Sequence, residues 1–166
     1  NSKKYAVSTL CEYYESDKIF AQWPDAKDDS NILQGLQPSA VINAADKTIV
    51  SENPLYPFSK ITDGDFTTRH AVPDKYTNYY IEYDLNGTYP LDKLKLYDFL
   101  ERSEATRSDK TTVEVYNDGV WTTVISEQPM QVYSTSGHKG TYFTAFDLNG
   151  ASGSRIRVTF NNTTHA

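Results

Sequence analysis

Residues 59–70, Ser-Lys-Ile-Thr-Asp-Gly-Asp-Phe-Thr-Thr-Arg-His, set two carboxylates around a glycine and follow them with two hydroxyls, an arginine and a histidine. Oxygen donors at this density suit a hard cation, since Ca2+ gathers about six to eight oxygens from carboxylates, hydroxyls and backbone carbonyls. Gly64 lets the backbone curl so that carbonyls turn inward. The stretch is too short for an EF-hand loop, and the same residues also make an ordinary Asx-turn between strands. Bond cleavage is a poorer fit. A glycosidase needs two carboxylates flanking the scissile bond, roughly 5 Å or more apart, and Asp63 and Asp65 share one tight turn. His70 with Ser59 is the other hydrolytic pairing on offer. The chain has no Gly-x-Ser-x-Gly elbow, no His-Glu-x-x-His helix and no phosphate-cradling glycine loop, of which Ser-Gly-His-Lys-Gly at 136–140 is a poor imitation. A non-catalytic protein is expected.

Strands must position these residues. Thr-Asn-Tyr-Tyr-Ile-Glu-Tyr-Asp-Leu-Asn-Gly alternates Tyr79, Ile81, Tyr83 and Leu85 against Tyr80, Glu82 and Asp84. Val113 and Val115 alternate with Thr112, Glu114 and Tyr116 before an Asp-Gly turn, and Tyr142, Thr144, Phe146 and Leu148 share one side of their segment. Ile156, Val158 and Phe160 oppose Arg155, Arg157 and Thr159. Period-two alternation closed by Asn-Gly or Asp-Gly marks half-buried antiparallel strands. The two Asp-Leu-Asn-Gly stretches, 84–87 and 147–150, read as equivalent strand ends. No window supports a helix of three turns. The spacing of the strands predicts an all-β, antiparallel β-sandwich.

Residues 1–38 read differently, with Pro24, Gly35 and Pro38 as breakers and acidic residues at Asp25, Asp28 and Asp29. They are expected as a lead-in or a junction with a preceding domain, docked through Ile19, Phe20 and Trp23, with one domain over 39–166. A net charge of −6 argues against nucleic acid, which draws most of its affinity from a dense basic face. No apolar run approaches the roughly 20 residues of a membrane span, and any targeting peptide is expected to lie outside these residues. The single cysteine, Cys11, excludes an internal disulfide and a four-cysteine zinc site; it reads as a small buried hydrophobe more readily than as a nucleophile. Sequons at Asn86, Asn161 and Asn162 matter only in a source that glycosylates.

Four motifs in order then carry a resemblance. Asn-Ala-Ala-Asp through Thr-Thr-Arg-His-Ala-Val, residues 43–72, resembles the opening of a coagulation factor 5/8 C-terminal, discoidin-like domain, whose loop has the form Asp-Gly-x-x-x-Thr-x-Trp. Tyr79–Phe99 is similar to the family's strand ending in Asp-Leu-Gly and the strand after it. Thr111–Ile125 is similar to its Asp-Gly-x-x-Trp segment, and Gly153–Phe160 to its late Arg-x-Ile-Arg-Ile strand. The match spans about 39–162 and implies the galactose-binding-like jelly roll, with family 32 carbohydrate-binding modules as the relevant branch.

By position, the resemblance implies a structural Ca2+ held by the Lys60 carbonyl, the Asp63 side chain, Asp65 through its carbonyl, and Thr68 through hydroxyl and carbonyl. It also implies a saccharide site on loops at one end, with Arg102, then Arg107, in the arginine-bearing loop. His70 and Arg69 leave the metal loop nearby, and Tyr133 and Tyr142 flank the loop holding His138 and Lys139. Arginine's planar fork suits vicinal hydroxyls, a carboxylate or a sulfate. Each has an ordinary reading too: His70 as a buried histidine, Arg102 as a surface ion pair with Glu101 or Glu104, Tyr142 as core. Two departures stand out. The family's tryptophan is replaced by His70, so a core aromatic plug is either missing or supplied by Tyr76, Tyr79 or Tyr80. The sequence also ends where the family has a closing strand with an alanine and a glutamate that complete the metal shell. The expected function is a carbohydrate-binding module of a larger secreted or cell-surface protein, beside a catalytic domain. The alternatives are an adhesion domain for protein or phospholipid, with Leu55, Tyr56 and Phe58 as the apolar tip, and a structural domain packing on a catalytic neighbour.

Overall fold

A computed structural model describes residues 4–7, 31–65, 68, 70, 72, 76–97, 108–129 and 143–163. Its elements are β1 (Lys4–Val7), β2 (Ala40–Asn43), a one-turn 3₁₀ helix (Phe58–Ile61), β3 (Tyr79–Tyr97), β4 (Ser108–Asn117), β5 (Val120–Pro129) and β6 (Phe143–Thr163). The strands form one sheet in the order β1-β3-β6-β4-β5, with β2 also on β3. Every pairing is antiparallel except β1 with β3.

The alternation read from the sequence fixes which side chains go inside. Tyr79, Ile81, Tyr83 and Leu85 of β3, Val113 and Val115 of β4, and Phe146, Leu148, Ile156 and Val158 of β6 are all buried in one cluster. Fully burying a side chain such as Phe146 or Ile156 is worth about 1.5–3 kcal/mol relative to leaving it in water. Both halves of β3 and β6 feed that single cluster, so the sheet has to curl over on itself.

The curl has a local cause. The Asp-Leu-Asn-Gly stretches lie inside β3 and β6 rather than at strand ends, and pairing between these strands slips in register between Asp84 and Tyr89 and again between Leu91 and Lys93, opposite Ala151 and Asp147. At each stretch the aspartate carboxylate accepts the N–H of the asparagine two residues on, at 2.9 Å for Asn86 and 2.9 Å for Asn149. Both asparagines sit in the left-handed region, φ 56° and 53°, which asparagine tolerates because its short side chain bonds locally. Extra unpaired residues bend a strand and increase its twist. The repeated motif is a pair of matched corners.

The segment before residue 39 contributes to this body. β1 lies parallel to β3 with Lys4 opposite Leu91, Ala6 opposite Leu94 and Val7 opposite Lys95, and Leu33 is one of the most buried residues of the core. The docking expected of Ile19, Phe20 and Trp23 lies outside the described residues. Among the described residues no helix is long and apolar enough to cross a membrane.

Candidate functional site

The acidic loop grows out of the 3₁₀ turn. Glu52 Oε1 accepts the Phe58 N–H at 2.7 Å, satisfying a donor at the start of that turn. Its far end is held by Thr62, which is buried: its hydroxyl donates to the Leu36 carbonyl at 2.6 Å, and its carbonyl accepts the Gly35 N–H at 2.7 Å. Beyond Thr62 the chain folds around one carboxylate. Asp63 Oδ1 accepts the Asp65 N–H at 2.9 Å, while the Thr68 hydroxyl lies 2.8 Å from Asp63 Oδ2 and 3.0 Å from the Asp65 carbonyl oxygen. Gly64, at φ 79°, makes the curl possible, and a Cβ there would meet Gln34 Nε2 at 2.9 Å.

The loop therefore brings together three of the four residues expected to hold a cation. A threonine hydroxyl carries one hydrogen, so two short contacts to acceptor oxygens share a single proton. The fourth residue, Lys60, arrives by another route: its ammonium sits 3.4 Å from Asp63 Oδ2. The donors are all hard oxygens, the chemistry of Ca2+ rather than of a thiolate or imidazole metal. Among the described residues no three of His, Cys, Asp and Glu gather into a cluster, so a cation here would have to lean on carbonyl and hydroxyl oxygens.

His70 is drawn inward. Its ring lies 5.2 Å from Phe58 and 6.5 Å from Tyr79, edge-on to the latter, and Tyr79 continues the stack to Phe160 at 5.2 Å. Neither ring nitrogen has a hydrogen-bond partner of good geometry. Burial drives its pKa down to about 4, opposed by the Tyr56 backbone and the Glu52 carboxylate. Tyr76 and Tyr79 are buried alongside, whereas Tyr80 faces the other side of the sheet. In the described structure His70 occupies the place of a core plug.

At the end of the sheet where β2, β5 and β6 finish and β3 and β4 begin lies a cleft of about 360 Å³, lined by Ala44, Ala45, Asn78, Lys110, Glu127 and Asn161. The Ala44 N–H bonds to the Asn78 carbonyl at 3.0 Å, tying the β2 exit to the β3 entry. Lys110 and Glu127, on the paired strands β4 and β5, form an ion pair at 3.6 Å in its lining. Three connections have a root at this end: 44–78, 98–107 before β4, and 130–142 after β5. Arg102, Arg107, Tyr133 and Tyr142 belong to the last two and, with Arg69, lie outside the described residues. The cleft residues had no motif to announce them. Only the pairing of strand ends brings them together.

Sequence reasoning also missed the outer face. In register across β3, β6 and β4, Arg157 stands between Glu82 and Glu114. Its guanidinium bonds Glu114 at 3.2 Å and Glu82 at 3.4 Å, and Arg155 reaches Glu82 at 3.1 Å. Arg157 is stacked 4.1 Å from the Trp121 ring and 4.7 Å from Tyr80, and Arg155 lies 5.3 Å from Trp121 and 5.5 Å from Tyr116. This ladder ties four strands together. Its available signal was the placement of two arginines on the polar side of β6.

The family model for the F5/8 type C domain matches residues 43–166. No curated protein sequence matches the chain. Among solved structures, the module CpGH89CBM32-4 of Clostridium perfringens, in complex with GlcNAc-α-1,4-galactose, is 21% identical over 82% of this chain and 81% of that one, with a TM-score of 0.55. Chitosan-binding module 2 of a chitosanase/glucanase from Paenibacillus sp. IK-5, in complex with chitotriose, is 20% identical over 82% and 91%, with a TM-score of 0.54. At these identities the likeness establishes the jelly-roll fold.

Proposed function

Because the chain belongs to the F5/8 type C domain family, we propose that it is a non-catalytic carbohydrate-binding module of a larger secreted or cell-surface protein acting on polysaccharides or glycoconjugates. The family match over residues 43–166 carries this reading. It is supported by the fold shared with modules solved with a bound disaccharide and with chitotriose. The polar cleft at the end where the loops are rooted supplies carboxamides and an ion pair of the kind that orient sugar hydroxyls. Arg102, Arg69, Arg107, Tyr133 and Tyr142 would grip the saccharide, and His70 would back the site by packing beneath the acidic loop. Holding an adjoining catalytic domain near its polymer raises the effective substrate concentration without any new chemistry.

A glycan array of the purified chain tests the proposal. Binding to at least one oligosaccharide is expected, with a loss of tenfold or more for Arg102→Ala while circular dichroism stays unchanged. Silence across the array would end this reading. One observation favours the adhesion alternative: Ile49 and Leu55 are 78% and 80% exposed in the connection after β2. Exposed large apolar side chains on a loop suit an apolar or phospholipid partner. Sedimentation with anionic vesicles, in the absence of any glycan signal, would select it.

The acidic loop is read as a structural Ca2+ site formed by the Lys60 carbonyl, Asp63, Asp65 and Thr68. A bound ion stabilises by mass action, about 2.7 kcal/mol when free Ca2+ stands at 100 times its dissociation constant. Thermal melts in millimolar CaCl2 and in EDTA are expected to differ by several degrees, and Asp63→Ala is expected to abolish the difference.

A further inference from the structure

The Lys60 side chain has no part in the ligand set read for the loop, yet its ammonium is placed on the one carboxylate around which the loop is wound, 3.4 Å from Asp63 Oδ2. The same oxygen lies 2.8 Å from the Thr68 hydroxyl, and that hydroxyl is 3.0 Å from the Asp65 carbonyl. Three oxygens thus crowd together with one hydrogen among them, and the Lys60 ammonium brings a positive charge to the carboxylate. Lys60 lies in the last turn of the 3₁₀ helix Phe58–Ile61, so its backbone and its side chain reach the loop from the same residue. The Lys60 side chain is 39% exposed and that of Asp63 21%. The lysine can therefore swing into water, whereas the carboxylate is fixed by the Asp65 N–H at 2.9 Å.

We propose that the Lys60 ammonium is a built-in stand-in for the loop's cation: it neutralises Asp63 when no ion is bound and has to leave that carboxylate when one arrives. The proposal rests on reading the loop as a calcium site. One residue then sets two properties in opposite directions. The ammonium keeps the ion-free loop wound, and it weakens Ca2+ binding, because a unit charge a few ångströms from a divalent ion is repelled even at high effective dielectric. The loop stays ordered at low Ca2+, and its affinity is held below what the oxygens alone would give.

Calorimetric titration with CaCl2 and melts in EDTA, on wild type, Lys60→Met and Lys60→Arg, decide the matter. Methionine keeps an apolar stem of similar reach without the charge; arginine keeps the charge. Lys60→Met is expected to bind Ca2+ roughly tenfold more tightly and to melt a few degrees lower in EDTA, with Lys60→Arg close to wild type in both. Equal Ca2+ affinity in wild type and Lys60→Met overturns the stand-in and leaves the calcium site standing. Absence of Ca2+ binding in all three proteins overturns the calcium reading, and the stand-in with it.

Discussion

Arg157→Ala is expected to lower stability by about 3 kcal/mol, read as a fall in the urea midpoint with an unchanged slope. The arginine is 22% exposed and holds Glu82, whose side chain is only 6% exposed, at 3.4 Å, and Glu114 at 3.2 Å. Truncation leaves Glu82 with Arg155 alone and empties the slot between Trp121 and Tyr80, which lie 4.1 Å and 4.7 Å from the guanidinium. Removing one partner of a buried ion pair costs about 3–5 kcal/mol. The surviving Arg155 contact at 3.1 Å argues for the lower end of that range.

Two comparisons separate charge from stacking. Arg157→Lys keeps the charge but loses the planar fork and the ring contact, so it should recover only part of the loss. The pair Arg157→Leu with Glu82→Leu removes both charges and should be more stable than Arg157→Ala alone, because no carboxylate is left short of its partner. A loss below 1 kcal/mol for Arg157→Ala would mean that Arg155 suffices and that the ladder is surface decoration.

The core was legible because a strand's period is two: Val113, Val115, Ile156 and Val158 could be assigned to one side before any pairing was known. The outer ladder was not, because alternation says only that Arg155, Arg157 and Glu82 leave the core. Whether they meet depends on register, and register here passes through two corners. Those corners explain the misreading of Asp-Leu-Asn-Gly as strand ends. An Asx-turn with a left-handed asparagine is the same local object whether the chain stops pairing or bends and resumes. His70 shows the same limit, since the motif locates it beside the acidic loop and packing alone determines that its ring turns toward Phe58 and Tyr79. The saccharide contacts proposed for Arg102 and Tyr133 rest on resemblance alone, because those positions carry no periodic signal.

Replacing His70 by phenylalanine should flatten the acid limb of the stability curve. Burial against Phe58 and Tyr79 holds the folded pKa at about 4, whereas an unfolded histidine titrates near about 6.5. The folded value is the lower one, so the unfolded chain takes up the proton first as the pH falls. The stability tied to a neutral His70 is complete above about pH 6.5 and drains away between there and about pH 4. Linkage puts the loss at about 2 kcal/mol by pH 5 and about 3 kcal/mol by pH 4. His70→Phe has no proton to gain, so urea midpoints at pH 7.5 and pH 5 should converge for the variant by that amount relative to wild type. At pH 7.5 the variant should be close to wild type in stability, because the buried ring nitrogens, which make no hydrogen bond of good geometry, are replaced by carbon, while the weak contact with the Tyr56 backbone is lost. Parallel acid limbs in the two proteins would show that His70 is reached by water and is not the plug beneath the loop.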